Sequence, residues 1–140
     1  MVKPLQSAVR SVVLAPAAAA TTARTAAIDT QGADYASIVV VASAEVNTNS
    51  TNVALNLRES DTNAATAFTT FDANFSTVLD NTAAAVAVFN VDLKGRKRFL
   101  QIVVTPDTTT NGAVLTSCVS ELVMDKQGAN SANAGRVVVG

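Results

Sequence analysis

The sequence predicts an all-β protein, an antiparallel β-sandwich with an extended N-terminal arm and a C-terminal tail. Three observations predict it. Apolar and polar residues alternate with period two over residues 53–60 and 83–93, the spacing of a half-buried strand. Short β-branched runs such as Ile38-Val39-Val40-Val41 are bounded by stretches rich in Gly, Asn, Asp, Ser and Thr. The apolar residues are mostly Ala and Val, aromatics are only 4% and Trp is absent, so the core must be built from small and β-branched side chains, which suit a pleated surface.

The elements follow in order. Residues 1–24 read as an extended Ala/Thr-rich arm outside the folded body. Lys3 and Arg10 precede a short apolar stretch that loosely imitates a secretory signal, but Pro16 interrupts it, and an extended arm is the expected reading. Residues 29–34 form a turn in which Gly32 can take a positive φ and the Asp side chains bond nearby amides. A buried strand follows over residues 35–44, then a polar loop over residues 47–52. In the strand over residues 53–60, Val53, Leu55 and Leu57 face the core, and Asn56, Arg58 and Ser60 face away.

Residues 61–74 are a longer connection. Phe68, Phe71 and Phe75 fall at three- and four-residue spacing, which allows a short helix, and their bulk suits a cover for one open end of the core. Residues 85–93 and 97–105 read as a hairpin closed by Lys94-Gly95. Residues 106–112 are a turn, and residues 114–124 form the last long strand, with a mixed face pattern that implies a bulge or burial on both faces. Residues 126–135 read as a flexible link, and residues 136–140 as a short terminal strand that completes this sheet or adds to a neighbour's. The organisation is therefore an arm over 1–24, a sandwich domain over 25–125 and a flexible tail over 126–140. Alternation does not separate a jelly roll from an immunoglobulin-like sandwich.

Composition narrows the chemistry. His is absent, which excludes Ser-His and Cys-His pairs and any His-ligated metal. Cys118 is the single cysteine, so no internal disulfide can form, and its apolar surroundings read as a buried small side chain. No apolar run reaches the roughly 18 residues of a membrane helix. Phosphate-cradling glycine motifs and Ca²⁺ loops are absent. Glu59 and Asp61 are the closest carboxylates on one side of a strand, and they read as rim residues beside Arg58. No enzyme activity, cofactor, metal or small-molecule substrate is expected.

One segment stands out. Lys94, Arg96, Lys97 and Arg98 place four of the ten basic residues within five positions. The cluster can be a solvated strand mouth that protects a sheet edge, a protein interface or a nucleic-acid contact. The chain as a whole carries a net charge of −1 and has one Phe beside the cluster, which gives a nucleic acid neither a basic field nor a stacking platform. These four residues are the candidate protein interface.

Three motifs, in order, resemble the decoration (cement) proteins of tailed-bacteriophage heads. They are Asp29-Thr30-Gln31-Gly32-Ala33-Asp34-Tyr35, Leu55-Asn56-Leu57-Arg58-Glu59-Ser60-Asp61, and the run from Val91 through Lys94-Gly95-Arg96-Lys97-Arg98-Phe99 to Val104. The resemblance covers roughly residues 26–124. It implies a sandwich of jelly-roll type without catalytic activity, assembled as a homotrimer on the outer surface of the virion capsid and bound to the major capsid protein. The chain departs from the family's pattern in the Ala33-Asp34 spacer and in its Ala-rich arm. Two other classes stay open: a nucleic-acid-binding module using residues 94–98, and an adhesion domain associated with a tail or fibre.

Overall fold

The computed structural model describes residues 8–19, 22–43, 52–70, 72–79, 83–106, 114–123 and 137–139. Ten strands are described: β1 (Ala8–Ala19), β2 (Arg24–Asp29), β3 (Tyr35–Ala42), β4 (Val53–Ser60), β5 (Thr69–Thr70), β6 (Ser76–Leu79), β7 (Ala85–Asp92), β8 (Phe99–Pro106), β9 (Val114–Val123) and β10 (Val137–Val139). They form two antiparallel sheets packed face to face, a β-sandwich as the alternation predicted. The first sheet has the order β1-β9-β3-β7-β10. The second has β2-β8-β4-β5, with β6 also paired to β4.

The pairing is nested. β1 pairs with β9, β2 with β8, β3 with β7 and β4 with β6. Successive pairs fall in alternate sheets, and the pairs β3–β9 and β4–β8 join them side by side. The chain thus behaves as one long hairpin wrapped around a common core. Most contacts are distant in sequence, which is the expected consequence of such winding.

The core comes from one face of each strand. Ile38 and Val40 of β3, Val53, Leu55 and Leu57 of β4, Ala87, Phe89 and Val91 of β7, and Leu100, Ile102 and Val104 of β8 are all buried. Phe75 joins this cluster, in line with its expected role as a cover; Phe68 is buried but is not part of the cluster, and Phe71 lies outside the described residues. The only helical element described between residues 61 and 79 is a single 3₁₀ turn at Ala73–Phe75, capped by Asp72, whose carboxylate accepts from the Asn74 amide at 2.8 Å. Thr69 and Thr70 pair with Glu59 and Arg58 instead of entering a longer helix, consistent with the weak helix preference of Thr. Ser60, expected on the polar face, is buried, and its hydroxyl accepts from the Thr62 amide as the strand ends in a turn.

Two expectations are corrected. Residues 8–19 are not an arm outside the body: they form β1, an edge strand in register with β9 from Ala8↔Val123 to Ala19↔Val114. Two register shifts, between Val12 and Leu14 and between Leu14 and Ala17, break the alternation that would have marked a strand. Pro16 is tolerated there because an edge strand leaves some amides unpaired. Backbone pairing holds β1 more than burial does, since among its described side chains only Leu14 is buried in the core and Val13 is partly buried against it.

The second correction concerns residues 85–93 and 97–105. β7 and β8 do not pair with each other; they lie in different sheets. Leu93, Lys94, Gly95 and Arg96 form a turn closed by the Arg96 amide on the Leu93 carbonyl at 3.0 Å, with Gly95 at φ +75° in its third position. A positive φ there suits a type II turn, which splays flanking strands where the primed hairpin turns would align them. Residues 97 and 98 then carry the chain across to the second sheet. The terminal strand β10 completes the first sheet by pairing with β7. The long strand β9 buries Thr116, Cys118, Ser120 and Leu122 and turns Val119 outward, and the bulging falls on its partner β1.

Candidate protein interface

Two crossovers between the sheets lie side by side at one end of the sandwich. Residues 30–34 lead from β2 to β3, and residues 93–98 lead from β7 to β8. The Thr30 amide and hydroxyl both donate to the Arg98 carbonyl, at 2.9 and 2.6 Å. The Leu93 amide donates to the Asp34 carbonyl at 3.0 Å, and the Asp34 amide to the Val123 carbonyl at 2.9 Å. Within the first crossover, the Gln31 amide donates to Asp29 Oδ1 and the Ala33 amide to the Thr30 carbonyl, with Gly32 at φ +81°. This is the turn expected from the Asp and Gly spacing.

The basic residues divide by role. Arg98 grips Asp29 through two parallel bonds, Nε to Oδ1 at 3.0 Å and Nη2 to Oδ2 at 2.7 Å, and its guanidinium lies 4.8 Å from the centre of the Phe99 ring. The hydrogen bonds from Arg98, then that from the Gln31 amide, hold the Asp29 carboxyl below its usual range, and the Asp29 bond raises Arg98 in turn. Lys97 reaches β4: its amide donates to Glu59 Oε2 at 3.2 Å and its ammonium lies 3.7 Å from Asp61. Glu59 and Asp61 are therefore rim groups, as expected, but their partner is Lys97.

Arg96 lies over the Phe75 ring at 6.0 Å, the outer limit for such a contact. Lys94 fixes the turn through its amide, which donates to Asp92 Oδ1 at 2.9 Å, and its side chain is exposed with no ion pair among the described residues. The four residues are therefore brought to one end of the sandwich, but they do not form a field of free charge. Beside them, Ala33, Asp34, Tyr35, Asp92, Leu93 and Lys94 line a shallow cleft of about 230 Å³. That is smaller than the roughly 300–1,000 Å³ of ordinary small-molecule sites. Among the described residues, no three His, Cys, Asp or Glu side chains converge on a point, and no helix is long and apolar enough to cross a membrane.

At the other end of β2, Arg24 performs a task that no sequence motif marks. Its Nη1 donates to the Thr116 carbonyl at 2.6 Å, the Thr116 hydroxyl at 3.1 Å and the Ala17 carbonyl at 3.2 Å, and its Nη2 to the Ala15 carbonyl at 2.7 Å. The register shift between Leu14 and Ala17 perturbs the ladder there, and one guanidinium supplies donors to the strands on both sides.

No protein-family model, curated protein or solved structure matches the chain.

Proposed function

We propose that the protein is a structural component of a bacteriophage head, bound to the outside of the capsid lattice and reinforcing contacts between major capsid subunits. One observation carries the reading. The three motifs that resemble decoration proteins, separated by up to 69 residues, meet at a single end of the sandwich through Asp29–Arg98, Asp34–Leu93 and Glu59–Lys97. A shared end built from all three motifs is a coherent surface for one partner.

The nested pairing of β1 with β9, β2 with β8, β3 with β7 and β4 with β6 further supports a jelly-roll winding of the sandwich. In this reading the wrapped core is a rigid spacer. Lys94 offers its charge to an acidic patch on the capsid protein, Arg96 lies over Phe75 beside it, and Lys97 and Arg98 hold the end in shape. A nucleic-acid role has less support, because Lys97 and Arg98 are already paired with Asp61 and Asp29 and duplex binding draws on several phosphate contacts.

The test is co-sedimentation with empty shells assembled from a major capsid protein of the genome that encodes this chain. Saturable binding that weakens at least tenfold in Lys94→Glu with Arg96→Glu supports the reading. A chain that stays in the supernatant at every concentration overturns it.

A further inference from the structure

The two sheets differ in what they present to solvent. The outward face of the second sheet is mixed, with Thr25, Asp29, Asn56, Arg58 and Ser76 among Ala27, Ala54 and an exposed Val78. The outward face of the first sheet carries valines in register. Val12 lies opposite Val119, Val119 opposite Val39, and Val39 opposite Val88, so that one row crosses four strands. Val41 and Val86 form a second row beside it. Val12 is 66% exposed, Val41 42%, Val119 40% and Val86 37%. No charged side chain lies in either row; the nearest, Arg10 and Glu121, pair with each other one row away at 2.7 Å.

A contiguous apolar patch rimmed by polar residues is a candidate interaction surface. We propose that this face is covered by a second copy of the same chain, valine rows against valine rows about a two-fold axis. Charge selects the occupant. An acidic or basic partner would leave its charges unpaired on a surface with none to offer, whereas an identical sheet is uncharged at the same place. Shape points the same way, because a pleated sheet packs best on another sheet and a copy supplies one of equal width. Extent is sufficient. Four strands and eight residues along β3 span roughly 19 by 26 Å, about 500 Å² per copy. A specific interface needs about 1,000 Å² in total. The valine rows form its centre and the Arg10–Glu121 pair its polar rim.

This inference does not depend on capsid binding, and it favours an even-numbered assembly over the trimer implied by the resemblance. Sedimentation equilibrium of the full chain, without capsids, tests it. The expected mass is that of two chains. Val12→Lys and Val119→Lys, each checked by circular dichroism for an intact β spectrum, are expected to weaken association at least tenfold, and Asn56→Lys on the other sheet to leave it unchanged. Val12 is on an edge strand and largely exposed, so its variant keeps the test decisive if Val119→Lys fails to fold. A monomer, an odd-numbered oligomer, or a dimer that survives both substitutions overturns the proposal. A dimer that ignores capsids leaves it standing and overturns the capsid reading alone.

Discussion

Arg24 donates to both oxygens of Thr116, its carbonyl at 2.6 Å and its hydroxyl at 3.1 Å, and so ties the first residue of β2 to a strand of the opposite sheet. The same guanidinium reaches the Ala15 and Ala17 carbonyls of β1. Arg24→Ala leaves these acceptors without their charged donor. The expected loss is about 2 kcal/mol, the range of a hydrogen bond to a charged group, read as a lower urea midpoint. Arg24→Lys restores charge without the planar fork and is expected to recover less than half of that loss. An unchanged midpoint in Arg24→Ala would show that water replaces the guanidinium without cost.

The Asp29–Arg98 pair predicts a pH dependence. Hydrogen bonds from Arg98 and the Gln31 amide lower the Asp29 pKa in the folded state. Its contribution is therefore complete above the unfolded carboxylate value of about 4 and is lost as pH falls through the lower folded value. Carbon-detected NMR titration of the side chain should place the Asp29 midpoint below that of a model peptide. The stability difference between the wild type and Asp29→Asn should shrink as the solution is acidified through this window. A midpoint at or above the peptide value would contradict the bidentate geometry.

Cys118 predicts the opposite limb. Burial between the sheets pushes its thiol up to about 12. The unfolded thiol ionises near 8.5, so the unfolded state loses its proton first and stability falls as pH rises from there towards 12. Cys118→Ala removes this alkaline loss. In the folded protein at pH 8 the thiol should resist a disulfide reagent, and denaturant should release one reactive thiol per chain. Rapid labelling without denaturant would place Cys118 at the surface.

Gly95 tests the crossover turn. Its φ is +75° and a Cβ built there meets nothing within 4 Å, so only backbone strain opposes a side chain. Gly95→Ala is expected to cost about 1 kcal/mol in thermal or urea unfolding, and Gly95→Asn less. A neutral Gly95→Ala would show that the turn relaxes to a negative φ.

The pattern of success in reading the sequence has physical causes. Strands β4 and β7 are visible because each buries one face, and that imposes alternation on Val53–Leu57 and Ala87–Val91; β3 is visible as the β-branched run Ile38–Val41, whose sequence does not alternate although its burial does. The turn at residues 29–34 is visible because Asp29 and Gly32 are demanded by local geometry. The partner of β7 is not visible, because alternation records which face is buried and not which sheet receives the next strand. β1 is hidden because edge pairing asks little of its side chains and its register shifts erase the period. The basic cluster is found, but the division of its labour is not. Arg98 is drawn to Asp29 by a neighbour 69 positions away, a relationship that exists only after the chain has wound.

Electron cryomicroscopy of empty heads incubated with the purified chain tests the central claim most directly. Added density is expected on the outer surface of the shell, with the end that carries Lys94 and Arg96 turned towards the major capsid protein. Bare shells at saturating protein, or density confined to the tail, would contradict it.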